Sequence, residues 1–278
     1  MTLGEDAGIL SAPSLLRPMT RQRLHDLASL HRRRGRDAHG VFLVEGVRSA
    51  EAAVGAGAPL VELVIADDVV GQPRVAALAA RAGVRVSVVP AHEVERIGDA
   101  QTSQGVVAVA RSVVRHDASG LAAVRSVLVL DGVQDPGNVG ALVRSAAWFG
   151  ADAVVMDSRS ADPEGPKAVR AAMGGLWDVA LVRVPDLVEA LGFLADAGLA
   201  LWGADLGGTP AAVWEPAGRL ALVLGSEAHG LSPDVAARLD GRVSVVRGLP
   251  ATASERASGV ESLNVVVAAG VLLHRWLG

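Results

Sequence analysis

The apolar residues of this chain gather in short continuous runs, not alternating ones. "VFLVEG" (41–46), "LVELVIAD" (60–67), "VRVSVVP" (84–90) and "GVVAVARS" (105–112) read as strands. Between them "VRSAEAAVGAG", "PRVAALAARAG" and "AHEVERIGD" carry the mixed spacing of short helices, the first two closed by glycine. Residues 22–34 read as a further helix, broken by "GRDAHG". The alternation of strand and helix predicts a compact α/β domain over 21–112. Residues 113–126, "VVRHDASGLAAVRS", have no clear period and predict a linker.

A second series of runs starts at "VLVLD" (127–131). It continues through "DAVVMD" (152–157), "VALVRV" (179–184), "LALWGAD" (199–205), "LALVLG" (220–225) and "RVSVV" (242–246). Strands apolar on both faces predict a parallel sheet covered on both sides, here over 127–278. Residues 1–20 predict a loose, flexible tail. No run approaches the ~20 apolar residues of a membrane span. The start of the chain carries Glu5 and Asp6 and no basic segment, unlike a secretory signal. The expectation is a soluble cytoplasmic protein with no membrane partner.

Composition removes several chemistries. There is no cysteine, so disulfides, thiolate metal sites and cysteine nucleophiles are out. The seven histidines are scattered, with no HxxxH pair to hold zinc, and no metal is expected. Net charge is −4, which gives no global nucleic-acid signal. Locally, however, Arg17, Arg21, Arg23, Arg32, Arg33, Arg34 and Arg36 stand against a single acid, Asp26. Such a block neutralises phosphates or forms a solvated helix face, and charge alone does not choose between them.

The glycine-rich stretches match none of the familiar phosphate loops. In "DGVQDPGNVGALVRSA" (131–146) the glycines 132, 137 and 140 lack the G-x-G-x-x-G spacing of a dinucleotide fingerprint. Asn138 and Val139 stand where a Walker loop needs Lys and Ser/Thr. "LVLGSEAHG" is not a G-x-S-x-G nucleophile elbow. Nicotinamide, nucleotide-hydrolysing and serine-hydrolase chemistries lose their support. What remains are three strand-to-turn junctions. In the first, Pro136 and Gly137 turn the chain and Asn138 is placed to cap a helix. At ~100° per residue Val139, Leu142, Ala146 and Phe149 form its apolar stripe, with Arg144 opposite, beside Ala141 and Trp148. Taken alone, Arg144 reads as an exposed arginine resting on Trp148. The second junction, "LVLGSEAHGLS" (222–232), carries Glu227. The third, "GVESLNVVVAAGVLLHRWL" (259–277), carries Ser262 and Asn264 ahead of a nearly all-apolar helix that must be buried in a core or a subunit interface.

Together, "DPGNVGALVRSA", "LVLGSEAHGLS" and "VESLNVVVAAGVLL" resemble the three ordered motifs of the SpoU/TrmH family of S-adenosylmethionine-dependent RNA ribose 2′-O-methyltransferases, in the SPOUT class. The likeness covers 127–278. "VFLVEGVRSAEAAV" resembles, more loosely, the ribosomal-protein-like α/β domain that binds substrate in many of these enzymes. The implied fold is a parallel α/β sheet with a C-terminal trefoil knot, preceded by that smaller domain, and the implied assembly is a homodimer. The implied cofactor is S-adenosylmethionine, gripped at Leu224, Gly225, Leu249, Pro250 and Leu263. The implied catalytic set is Asn138, Arg144, Glu227, Ser262 and Asn264. A guanidinium, ordinarily protonated below a pKa of about 12, makes a poor free base. A clamp on the target phosphate that also stabilises the forming alkoxide suits Arg144 better.

Two departures from the family pattern stand out. "ATASERASGVE" (251–261) is longer than the usual connection, and Ala172 in "KAVRAAMGG" replaces a serine of many relatives. With RNA as the expected partner, Arg32, Arg33, Arg34, Arg36, Lys167 and Arg170 become candidate contacts. The leading expectation is 2′-O-methylation of 23S rRNA, with housekeeping and antibiotic-resistance roles both open. A tRNA substrate and a non-catalytic RNA-binding or ribosome-assembly role are the alternatives.

Overall fold

A computed structural model describes residues 19–100, 102–216, 218–247 and 262–278. The expected tail, Leu249, Pro250 and the long connection 251–261 lie outside the described residues, apart from Met19 and Thr20. The described residues form two compact units, one within 19–112 together with 164–177 and one within 113–163 together with 178–278.

The first unit runs α1 (Arg21–Ser29), α2 (Arg33–His39), β1 (Val41–Glu45), α3 (Val47–Gly55), β2 (Leu60–Ala66), α4 (Pro73–Arg81), β3 (Arg85–Val89), α5 (Ala91–Ile97) and β4 (Val106–Arg111). The sheet order is β1-β4-β2-β3, with β4 antiparallel to β1 and β2 and only β2–β3 parallel. Leu43, Val64, Val107 and Val109 pack with Leu27 of α1 and Val94 and Ile97 of α5. The expected single helix over 22–34 is two helices, and the second runs through the segment read as its breaker. Gly35 explains this: a Cβ there would lie 2.3 Å from the Ser29 carbonyl oxygen, so only glycine lets the two backbones meet. The break comes instead at Leu30–Arg32, and α2 ends at Gly40 in the left-handed conformation (φ +61°).

The second unit opens with β5 (Val114–Arg115) and a single 3-10 turn (Ser119–Leu121), inside the stretch read as a linker. Leu121 is buried in this unit's core, so the segment belongs to the fold. Then come β6 (Ser126–Asp131), α6 (Pro136–Trp148) and β7 (Ala153–Met156). Next, α7 (Pro166–Ala172) packs on β1 of the first unit, and Trp177 just beyond it stacks on Phe42 with ring centroids 6.3 Å apart. By sequence pattern this segment falls in the second domain, 127–278. Nothing local marks it, because its assignment rests on distant partners. The second unit resumes with β8 (Ala180–Arg183), α8 (Leu187–Asp196), β9 (Ala200–Pro210), β10 (Leu220–Gly225), α9 (Pro233–Ala236), β11 (Gly241–Ser244) and α10 (Val265–Leu277).

Its seven strands lie in the order β11-β9-β10-β6-β7-β8-β5, and every pairing is parallel. Val127, Val129 and Val155 pack with Leu187, Leu191 and Leu194 of α8. The alternate residues Leu128, Leu130 and Val154 are equally buried on the other face, where α6 lies on β7 and α10 on β10. Two-sided burial is what continuous apolar runs require. The helices α6 and α10 pack side by side and parallel. Their N-terminal ends meet at Asn138 and Asn264, and their C-terminal ends at Phe149 and His274, with ring centroids 6.0 Å apart. The chain leaves the sheet at the β11 edge and returns inward as α10. The connection includes residues 248–261, so the threading of a trefoil knot lies outside the described residues.

Candidate active site

Strands β6 and β10 are neighbours, paired from Ser126↔Leu220 to Asp131↔Gly225. Their following loops therefore emerge together at the carboxyl edge of the sheet, where α/β proteins place ligands.

After β6 the chain enters α6 through Asp135, whose carboxylate accepts the Asn138 backbone N–H at 2.9 Å. Pro136 takes the first helical position, where its missing N–H costs nothing. The cap is thus Asp135 and not the expected Asn138, whose side chain is free for other work. Its Nδ2 donates to Glu227 Oε1 at 2.5 Å, and its Oδ1 accepts from Asn264 Nδ2 at 3.3 Å. Asn264 caps α10, its Oδ1 accepting the Val266 N–H at 2.8 Å. The chemistry fixes each amide in turn. A backbone donor claims the Asn264 oxygen, so its nitrogen faces Asn138. A carboxylate, which only accepts when ionised, claims the Asn138 nitrogen. A directed line of hydrogen bonds joins the three junctions found in the sequence.

Glu227 sits on a turn closed by two bonds between Ser226 and Gly230, at 3.0 and 2.9 Å. The turn folds back onto Gly225, where a Cβ would lie 2.1 Å from the Gly230 carbonyl carbon. Beside it opens a cavity of about 650 Å³, bordered by the end of β10, this turn, Val243–Val245 and the start of α10. Its remaining wall was not foreseen. Arg242 pairs with Gly203 but Val243 pairs with Thr209, so residues 204–208 leave the ladder as an excursion. Asp205 holds that excursion, accepting from Arg242 Nη1 at 3.1 Å and the Gly207 N–H at 2.9 Å. Leu206 stands 72% exposed at its tip. The glycine pair in "ADLGG", just beyond the apolar run 199–205, is the available signal for such a bulge.

Of the expected catalytic set, Asn138, Glu227 and Asn264 are bonded together, and Ser262 lines the cavity beside Asn264. Arg144 lies further along α6, on the face opposite the buried Val139, Leu142 and Ala146. It is exposed and, among the described residues, makes no hydrogen bond or ion pair. Of the expected cofactor contacts, Leu224, Gly225 and Leu263 line the cavity. Arg32, Arg33 and Arg34 are exposed, Arg33 facing Asp37 at 3.6 Å. Arg36 departs from the expectation. It is buried and donates to the Leu30 and His31 carbonyls at 2.7 and 3.0 Å, closing the end of α1. Lys167 is exposed. Arg170 is half-buried, donating to Glu45 at 3.1 Å and Asp99 at 3.3 Å. Among the described residues no acid–histidine cluster could hold a metal, and no helix is long and apolar enough to cross a membrane.

Known proteins share both units. Residues 125–274 match the SpoU rRNA Methylase family, and residues 21–108 match the MRM3-like substrate binding domain. The chain belongs to the SpoU rRNA methylase family. It is 28% identical over 260 residues to the 23S rRNA (guanosine(2553)-2′-O)-methyltransferase RlmP of Bacillus subtilis, covering 92% of this chain and 96% of that one. It is 34% identical to an uncharacterized tRNA/rRNA methyltransferase of Mycolicibacterium vanbaalenii over 70% of this chain, and spans 62% of that relative's length. The SpoU methyltransferase AviRb of Streptomyces viridochromogenes, solved in complex with AdoMet, superposes with a TM-score of 0.79 at 26% identity, covering 92% of this chain and 97% of that one. A TrmH-family protein from Porphyromonas gingivalis gives 0.76 at 30%, covering 93% and 98%.

The division of labour between Asp135 and Asn138 is measurable. Asp135→Ala removes a helix cap and is expected to lower the unfolding free energy by about 1 kcal/mol. Asn138→Ala is expected to stay within about 0.5 kcal/mol of wild type, because its side chain serves the site and not the helix. Urea denaturation of both variants checks this, and the reverse order would restore Asn138 as the cap.

Proposed function

We propose that this protein transfers a methyl group from S-adenosylmethionine to a ribose 2′-oxygen of structured RNA, and that the RNA is large-subunit rRNA in the cytoplasm. The observation that carries the reading is the line Asn264–Asn138–Glu227, which ties a ligand-sized cavity to the start of the helix bearing Arg144.

The cavity suits the cofactor. About 650 Å³ lies within the range of roughly 300–1,000 Å³ usual for small-molecule sites. Gly225 exposes main chain at the strand end, Leu206 and Leu263 offer apolar cover, and Asp205 and Glu227 complement a cationic ligand. When bound, S-adenosylmethionine supplies an electrophilic methyl carbon on a sulfonium. The chain's own residues do the rest. Asn138 and Asn264 hold Glu227 in one place beside the cavity. Arg144, free of protein partners among the described residues, clamps the phosphate next to the target ribose. Its charge would stabilise the developing alkoxide as the 2′-hydroxyl gives its proton to water and takes the methyl group that the sulfonium releases, leaving a neutral thioether. No covalent enzyme intermediate is needed, which accords with a chain lacking cysteine. Arg32, Arg33 and Arg34 supply further phosphate contacts. Support for rRNA over tRNA comes from the end-to-end likeness to RlmP, first unit included.

A homodimer completes the reading. Trp148 on α6 is 83% exposed, and Val267 and Val271 on the adjacent α10 are 53% and 43% exposed, so both helices of this pair carry exposed large apolar side chains. A second copy is its expected cover.

Three measurements test the proposal. Mapping ribose methylation across rRNA and tRNA, in cells with and without the gene, is expected to show one 2′-O-methyl group missing from large-subunit rRNA. A missing tRNA site would move the substrate to tRNA, and no missing site would contradict the enzymatic reading. Arg144→Ala is expected to slow methyl transfer by about 10²- to 10³-fold, with cofactor affinity by calorimetry unchanged; full activity would remove Arg144 from the mechanism. Sedimentation is expected to return a dimer that Val271→Asp converts to monomer, and a monomeric wild type would contradict the assembly.

A further inference from the structure

The two central strands of the second unit end in buried carboxylates. Asp131 closes β6 and Asp157 follows β7, with side chains 1% and 5% exposed. Two such charges side by side repel unless a cation bridges them. Arg159 does so, its Nη2 on Asp131 Oδ1 at 2.5 Å and its Nε on Asp157 Oδ2 at 2.6 Å. Burial pushes Asp157 up, but bonds from Ser160 and Arg159 and from the Gly132 and Ser160 amides hold it below the usual aspartate range.

The remaining carboxylate contacts reach the two loops of the site. Asp157 Oδ1 accepts the Gly132 N–H at 3.1 Å and the Ser160 N–H and Oγ–H at 2.9 and 2.6 Å. Ser160 Oγ in turn accepts the Val133 N–H at 3.1 Å. Gly132 and Val133 begin the loop that leads to Asp135 and Asn138. On the other side, Asp131 accepts the Ser232 N–H at 2.6 Å and the Ser232 hydroxyl at 3.2 Å. Ser232 ends the segment that carries Glu227. A Cβ on Gly132 would touch both Arg159 Cζ (3.8 Å) and Ser226 Cβ (3.9 Å), so guanidinium and turn border the same residue. Arg159 does not line the cavity.

We propose that Arg159 is a positioning residue for methyl transfer: by bridging Asp131 and Asp157 it fixes the loop bearing Asn138 against the turn bearing Glu227. The proposal rests on the methyltransferase reading above. A planar guanidinium holds two carboxylates at a set angle, whereas an ammonium carries the same charge without the fork. Charge and geometry are therefore separable.

Arg159→Lys keeps the charge and is expected to stay folded, with circular dichroism and cofactor affinity close to wild type. Its kcat on RNA is expected to fall by about 10- to 100-fold, the usual consequence of a misplaced site, with little change in KM. In Arg159→Ala, added methylguanidine is expected to restore several-fold of the lost kcat. Wild-type turnover by Arg159→Lys would overturn the proposal. So would a kcat loss that only tracks the unfolded fraction and is not rescued by methylguanidine. An inactive wild type would overturn the methyltransferase reading and this one with it, whereas an active wild type beside an unaffected lysine variant would overturn this one alone.

Discussion

The pairing of β6 with β10, in register from Ser126↔Leu220 to Asp131↔Gly225, is the constraint on which the rest of the second unit depends. Parallel neighbours end at the same edge, so the segments after Asp131 and Gly225 have to meet there. These segments are 94 positions apart in sequence (225 minus 131), and the strand pairing brings them together. With that edge fixed, Asn138 comes within 2.5 Å of Glu227, and α10, laid parallel to α6, brings Asn264 to Asn138. A one-residue slip between the two strands would reverse the faces that bury Val127 and Leu128. It would also move Glu227 away from Asn138. Core packing and site geometry are thus held by the same register.

The site is economical in its polar groups. One amide, Asn138, serves as donor to the second junction and acceptor from the third, which it can do because Asp135 has taken over the capping of α6. The cavity beside it is built largely from main chain and small or apolar side chains. Its closeness comes from glycines that the chain cannot replace. Gly225 is crowded by Gly230, and Gly208 lies against Val243, where a Cβ would stand 2.5 Å from the backbone nitrogen. The arginine expected to meet RNA stands apart from this framework, exposed and without a protein partner among the described residues.

Much of this was legible in the sequence. The strand positions followed from continuous apolar runs, because burial on both faces leaves no room for polar alternation. The opposition of Arg144 to Val139, Leu142 and Ala146 followed from helical spacing alone. The three junctions were visible as motifs. What failed did so for tertiary reasons. Gly35 looks like a breaker until Ser29 is seen lying against it. Arg36 looks like its exposed neighbours, yet it folds back on the carbonyls that end α1. The segment 164–177 carries no local mark of its packing on β1, which depends on Glu45, Asp99 and Phe42, more than sixty residues away. Asp135 was recoverable: a proline at the first helical position places the cap one residue before it, a stronger signal than the asparagine that follows.

If the line from Asn264 through Asn138 to Glu227 acts as one unit, its members cannot contribute independently. The most direct measurement is a double-mutant cycle on methyl transfer with Asn138→Ala, Glu227→Ala and the pair. The double variant is expected to be about as slow as the worse single one, as for residues that act together. Effects that multiply would contradict it, and would mean that the 2.5 Å contact between Asn138 and Glu227 is incidental to the chemistry.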